Sequence, residues 1–139
     1  MWEAVFFLVL TIIFWGTAPI LEKYGLQYSD ELSALFIRST AIFVALVFIF
    51  IATGKTRLLV KVPLKSIVAF GASGILAGLV AMWTYFKVLK INPASKVVPL
   101  ASTYPLITAI LSIVLLREGL SWQRILGTSL IVAGVLLVK

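Results

Sequence analysis

Arg38 is the residue best placed to do chemistry, because it lies inside the apolar run from Leu32 to Gly54, where a charge must be paired, solvated or used. Ala34, Arg38, Ala41 and Ala45 step by four, three and four residues, so one helical face carries all four and turns Arg38 toward a neighbouring helix. Its position early in the run equally fits a guanidinium that reaches back to the headgroups. Four aromatic residues, Trp15, Trp83, Tyr85 and Tyr104, lie deep in apolar runs or beside stripes of small residues. Together with Arg38 they have the composition of a pocket with apolar walls and a few donors, although core packing accounts for any one of them alone. Trp2, Tyr24, Tyr28 and Trp122 fall at the ends of the runs instead, as in an aromatic belt at a membrane interface.

The residue types that are missing exclude much. Cysteine and histidine are absent, which removes the commonest metal ligands, disulfides and the usual general base. The five carboxylates, Glu3, Glu22, Asp30, Glu31 and Glu118, all fall near predicted helix ends. No enzyme, metal site or cofactor is expected. Glu118, in a tight turn between Arg117 and Arg124, reads as a loop ion pair or a contact to the start of the last helix. The net charge of +7 does not point to nucleic acid, because the basic residues are scattered through short connections and form no basic stripe. They read as interfacial anchors with some attraction to anionic lipid.

These residues are carried by five apolar runs: Ala4 to Leu21, Leu32 to Gly54, Ser66 to Phe86, Val97 to Leu116 and Ser121 to Val138. The shortest covers roughly 27 Å as a helix, close to the hydrocarbon thickness of a bilayer. With 62% hydrophobic and 12% charged residues, the chain has no interior large enough to bury five such helices in water. The expected fold is an all-α integral membrane protein, a bundle of five transmembrane helices forming one domain over 1–139. Glu3 replaces the basic leader of a signal peptide and no small-residue cleavage site precedes Glu22, so the first run reads as a retained span.

Five spans put the termini on opposite sides. Lys55, Arg57, Lys61, Lys65, Arg117 and Arg124 then share the side of the N-terminus, against Lys23, Lys87, Lys90, Lys96 and Lys139. The bias weakly favours an N-terminus in the cytoplasm, and so even a count also admits insertion in both orientations.

Gly71, Gly74, Gly78 and Ala81 form a stripe running on to Tyr85, and Gly127 and Gly134 flank Ile131 on one face of the fifth run. In lipid such stripes mark helix packing, within one chain or across a dimer. Pro19 lies in the first run, and Pro99 and Pro105 interrupt the fourth, sharing a face with Ser95, Ser102, Ala109 and Ser112. Each proline frees a carbonyl one turn back, so the fourth helix is expected to kink. Interrupted helices are where transporters commonly build substrate sites.

Trp15-Gly16 with Pro19 and Lys23, then Arg38, and above all Asn92-Pro93-Ala94-Ser95 through Pro99, Tyr104-Pro105, Glu118, Gln123, Gly127 and Gly134 make the whole chain resemble an EamA-type domain of the drug/metabolite transporter superfamily. Members usually carry two such five-helix domains as an inverted repeat with the substrate path between them. The resemblance therefore implies one half of a ten-helix transporter, completed most simply by a homodimer, antiparallel or parallel. It implies alternating access for a small metabolite, amino-acid-like or another small organic solute, in the inner (cytoplasmic) membrane. Trp15, Arg38, Trp83, Tyr85 and Tyr104 are then pocket candidates, Pro19, Pro99 and Pro105 kinks or hinges, and Gly71, Gly74, Gly78, Gly127 and Gly134 packing or dimer contacts. The related small multidrug resistance proteins carry a membrane-embedded carboxylate in their first helix. Here Glu3 and Glu22 sit at the two ends of that span, so their proton-antiport mechanism does not carry over. The sign of Arg38 and Lys87 favours an anionic or carboxylate-bearing solute. Two further readings stand beside the carrier: a non-transporting membrane assembly subunit, and a lipid or lipid-linked sugar flippase component.

Overall fold

The computed structural model describes residues 2–119 and 121–137, apart from the side chains of Arg124 and Leu136. Its elements are α1 (Trp2–Gly25), α2 (Glu31–Ala52), α3 (Thr56–Val60), α4 (Leu64–Ser73), a π-helical segment (Gly74–Ala81), α5 (Met82–Ile91), α6 (Ala94–Ala101), α7 (Tyr104–Leu116) and α8 (Trp122–Leu136). Helix is the only regular structure among the described residues. Four helical stretches are long and apolar enough to cross a membrane: Trp2–Gly25, Glu31–Ala52, Leu64–Ile91 and Ala94–Leu116. Almost none of their residues are buried within the chain, and large side chains such as Phe14, Phe43, Phe48 and Ile51 are open on their flanks. Such extensive apolar exposure is stable only with lipid as solvent.

The helices overrun the limits set by charge. Lys23, Lys87 and Lys90 lie inside helices, because a long amine at a helix end can reach carbonyls or the interface while its backbone stays helical. The connection from Lys55 to Lys65 contains a short helix, α3. In the fifth run α8 has 15 residues, about 22 Å, and the last residue assigned to that span, Val138, lies outside the described residues.

Two ends show how local sequence sets the helix limits. Asp30 caps α2, its Oδ1 accepting from the amides of Leu32 (3.0 Å) and Ser33 (2.9 Å). At the other end Gly54 takes φ 66°, which lets the Lys55 amide reach the Phe50 carbonyl and the Gly54 amide reach that of Ile51. This is a Schellman closure, and a Cβ would disfavour its left-handed residue.

The fourth span is broken, not merely kinked. α6 stops at Ala101 and α7 starts at Tyr104, because Pro105 lacks an amide and its ring excludes the carbonyl of Ala101 from a helical bond. Hydroxyls serve the carbonyls at the break: Ser102 donates to Val98 (2.8 Å) and Thr103 to Leu100 (2.9 Å). Pro99 is accommodated inside α6, and α1 runs through Pro19 without interruption.

The described chain divides into two compact units, Ile20–Lys90, and Met1–Pro19 with Ile91–Lys139. In the first, Leu26, Leu35, Phe86 and Leu89 are all but fully buried. They come from just after α1, the first turns of α2 and the last turns of α5, so the tight core sits where these three helix ends meet. In the second, α6 packs on α8, and Val97 and Val135 are buried.

Candidate functional site

In the Ile20–Lys90 unit, charge is organised around the same helix ends. The Nε of Arg38 lies 3.3 Å from Oε1 of Glu22, and the Glu22 side chain keeps only 13% of its exposure. Glu22 lies three residues before the end of α1, with a side chain turned against α2. A span-end residue on sequence grounds, it is the counter-ion that Arg38 requires. The Lys23 ammonium donates to the carbonyls of Leu89 (2.7 Å) and Lys90 (2.9 Å), the last turn of α5, where the helix dipole favours a cation. Lys90 in turn donates to the Ser29 carbonyl (3.0 Å) and pairs with Glu31 (3.3 Å). Three helix ends are thus tied by amines and carboxylates as well as by the apolar core beneath them.

Arg38 also lines an open groove of about 340 Å³, with Ser39 and Ile42 from α2 facing Gly71, Gly74, Ile75, Gly78 and Leu79. A Cβ added at any of the three glycines meets no atom within 4 Å, so each borders open space in the chain as it stands. From Gly74 the stripe is π-helical. Segments with i→i+5 bonding are rare and favour functional sites, and the change of register on leaving one strands carbonyl oxygens. Thr84 attends to this, its hydroxyl donating to Val80 (3.1 Å) and Ala81 (2.9 Å).

Among the aromatic pocket candidates, Trp83 holds the Lys87 ammonium 3.8 Å above its ring and is partly exposed, and Tyr85 is partly buried. Neither lines the Arg38 groove. Lys87, counted on sequence grounds as attracting an anionic solute, is engaged by that indole face. Trp15 and Tyr104 belong to the other unit, where both are exposed. That unit has its own cavity, about 190 Å³ between α7 and α8, lined by apolar residues with Ser112, Glu118, Thr128 and Ser129. Gly127 and Gly134 likewise border open space. Arg117, which ends α7, takes the left-handed conformation at φ 54° and lets the Glu118 amide bond back to the Ser112 carbonyl.

The helices and their polar ends define a multi-pass membrane protein in which Arg38 is paired with Glu22 beside an open groove. The family model of the EamA-like transporter family matches residues 2–139, and the chain belongs to that family. A curated relative from a Sinorhizobium species, named an uncharacterized transporter in cobO 3'region, is 29% identical over 134 residues, 96% of this chain and 94% of the relative. No solved structure matches the chain.

Proposed function

We propose that the chain is a carrier for a small organic solute, amino-acid-like or bearing a carboxylate, that works by alternating access as a pair of five-helix units. The observation that carries this reading is the Arg38–Glu22 pair at an open groove bordered by Gly71, Gly74 and Gly78. A charge at membrane depth is costly, and one placed beside accessible volume, not sealed in packing, has the surroundings of a solute contact. Family membership and a relative of similar length named as a transporter support the class. In this reading the fifth apolar run, which carries α8, is a fifth span, and a second copy supplies the other half of an inverted repeat in the cytoplasmic membrane. Arg38 is the solute contact of its groove, Trp15, Trp83, Tyr85 and Tyr104 are each proposed as a lining residue within their own unit, and the break before Pro105 acts as a hinge.

Orientation and assembly test the paired arrangement. The chain has no native cysteine, so Lys61→Cys and Lys90→Cys report the two sides through an impermeant thiol reagent on intact cells, and Gly134→Cys reports self-association by cross-linking. Labelling of both positions, in separate populations, is expected for antiparallel copies. Labelling of one alone leaves a parallel pair, and absence of any cross-linked pair together with a different copurifying protein supports the assembly-subunit reading.

A further inference from the structure

We propose that the connection from Thr53 to Lys65 is a binding element for anionic phospholipid headgroups. Lys55, Arg57, Lys61 and Lys65 fall within it and no aspartate or glutamate does, nor any between Glu31 and Glu118 in the sequence. Within its unit the carboxylates are Glu22, Asp30 and Glu31. Glu31 and Asp30 stand at the opposite end of α2, about 33 Å away for its 22 residues. Glu22 is committed to Arg38, still about 22 Å short of Thr53 along that helix. Within this unit no carboxylate therefore reaches the four cations, whereas at the far end Lys90 and Arg38 have carboxylates and Lys23 has carbonyls.

The side chains between these cations are apolar and open. Leu58 and Leu59 keep just over half of their exposure, Leu64 74% and Val60 89%. In water that pattern leaves hydrocarbon exposed and positive charge uncompensated. At the rim of a bilayer both are satisfied, since leucine and valine enter the acyl boundary while the amines and guanidinium meet phosphate. The element directly adjoins two membrane-crossing helices, α2 and the stretch beginning at Leu64, which hold it at headgroup level. Four cations without an internal acid match a negatively charged lipid surface, not a zwitterionic one.

The test uses the full-length protein carrying Leu59→Cys, labelled with a small fluorophore and reconstituted in vesicles of phosphatidylcholine and phosphatidylglycerol. One lipid or the other carries brominated chains as quencher. Brominated phosphatidylglycerol is expected to quench roughly two-fold or more beyond its mole fraction, an excess that shrinks as salt is raised. Replacing Lys55, Arg57, Lys61 and Lys65 by Gln should bring quenching down to the mole fraction. A label at Gln27→Cys, at the other end of the unit, should show no preference. Quenching in proportion to mole fraction in the unaltered loop, an excess insensitive to salt, or no quenching by either lipid would each overturn the proposal. The salt series needs no charge variant, so the test stands even if the four-fold variant does not fold.

Discussion

The Nε of Arg38 stands 3.3 Å from Oε1 of Glu22, an ion pair that joins the second helix of the chain to the end of the first. Removing one partner leaves the other uncompensated, and removing both does not. Glu22→Gln and Arg38→Gln are each expected to lower stability in detergent by about 1–3 kcal/mol, less than for a fully enclosed pair because the Arg38 side chain is 38% exposed. The double variant should lose clearly less than the sum of the two. Thermal or denaturant unfolding of the four proteins measures this coupling, and strict additivity would show that the pair contributes nothing.

Lys23 is expected to behave as a helix cap delivered from another helix. Its ammonium serves two carbonyls at the end of α5, so Lys23→Met should cost about 1–2 kcal/mol, measured by the same unfolding assay. Lys23→Arg should retain part of the contribution.

The groove glycines separate packing from function. An added methyl at Gly71 or Gly78 meets no neighbour, and alanine has the better helix propensity. Gly71→Ala and Gly78→Ala should therefore leave the isolated chain as stable as before or up to about 1 kcal/mol more stable. If the groove carries solute, uptake falls in these same variants while unfolding stability does not. If the glycines instead seat a second copy, cross-linking through paired cysteines falls.

How much of this was legible in the sequence depends on the scale of the feature. That Arg38 needs a partner follows from its place in an apolar run. That the partner is Glu22 does not, because the relative height of two helices is set by packing at Leu26, Leu35, Phe86 and Leu89, which no periodicity encodes. The glycine stripe was visible at spacings of three and four residues, but those spacings assume α-helical geometry and conceal the π-helical turn from Gly74. Pro105 announced a disturbance in the fourth span, and the two-residue break at Ser102–Thr103 went beyond the expected kink. Helix limits were least legible. Charges bounded the apolar runs, whereas Lys23, Lys87 and Lys90 lie within helices and reach carbonyls of another helix, an indole face and a carboxylate respectively.

Asp30 gives a dependence on pH whose sign follows from its contacts. The hydroxyl and amide of Ser33, with the amide of Leu32, hold its carboxyl below the usual carboxylate range. A depressed folded pKa means that the cap stabilises fully above the unfolded value, about 3.9, and that the contribution fades as pH falls through the lower folded value. Asp30→Asn keeps an acceptor oxygen without the titration. The stability advantage of the unaltered protein over this variant should therefore be largest near neutrality and shrink below about pH 4. A gap that stays constant down to strongly acid pH would show that the carboxylate charge plays no part in the cap.

The role of the Arg38 groove is tested most directly by uptake of small organic solutes into vesicles containing only the purified chain. Saturable, competable uptake is expected for the unaltered protein. Arg38→Ala should reduce kcat/KM by about ten-fold or more, with a smaller loss for Tyr104→Ala. Saturable uptake that is unchanged in Arg38→Ala would contradict the assignment of this groove to the solute path, and the absence of any flux from the pure protein would contradict the carrier itself.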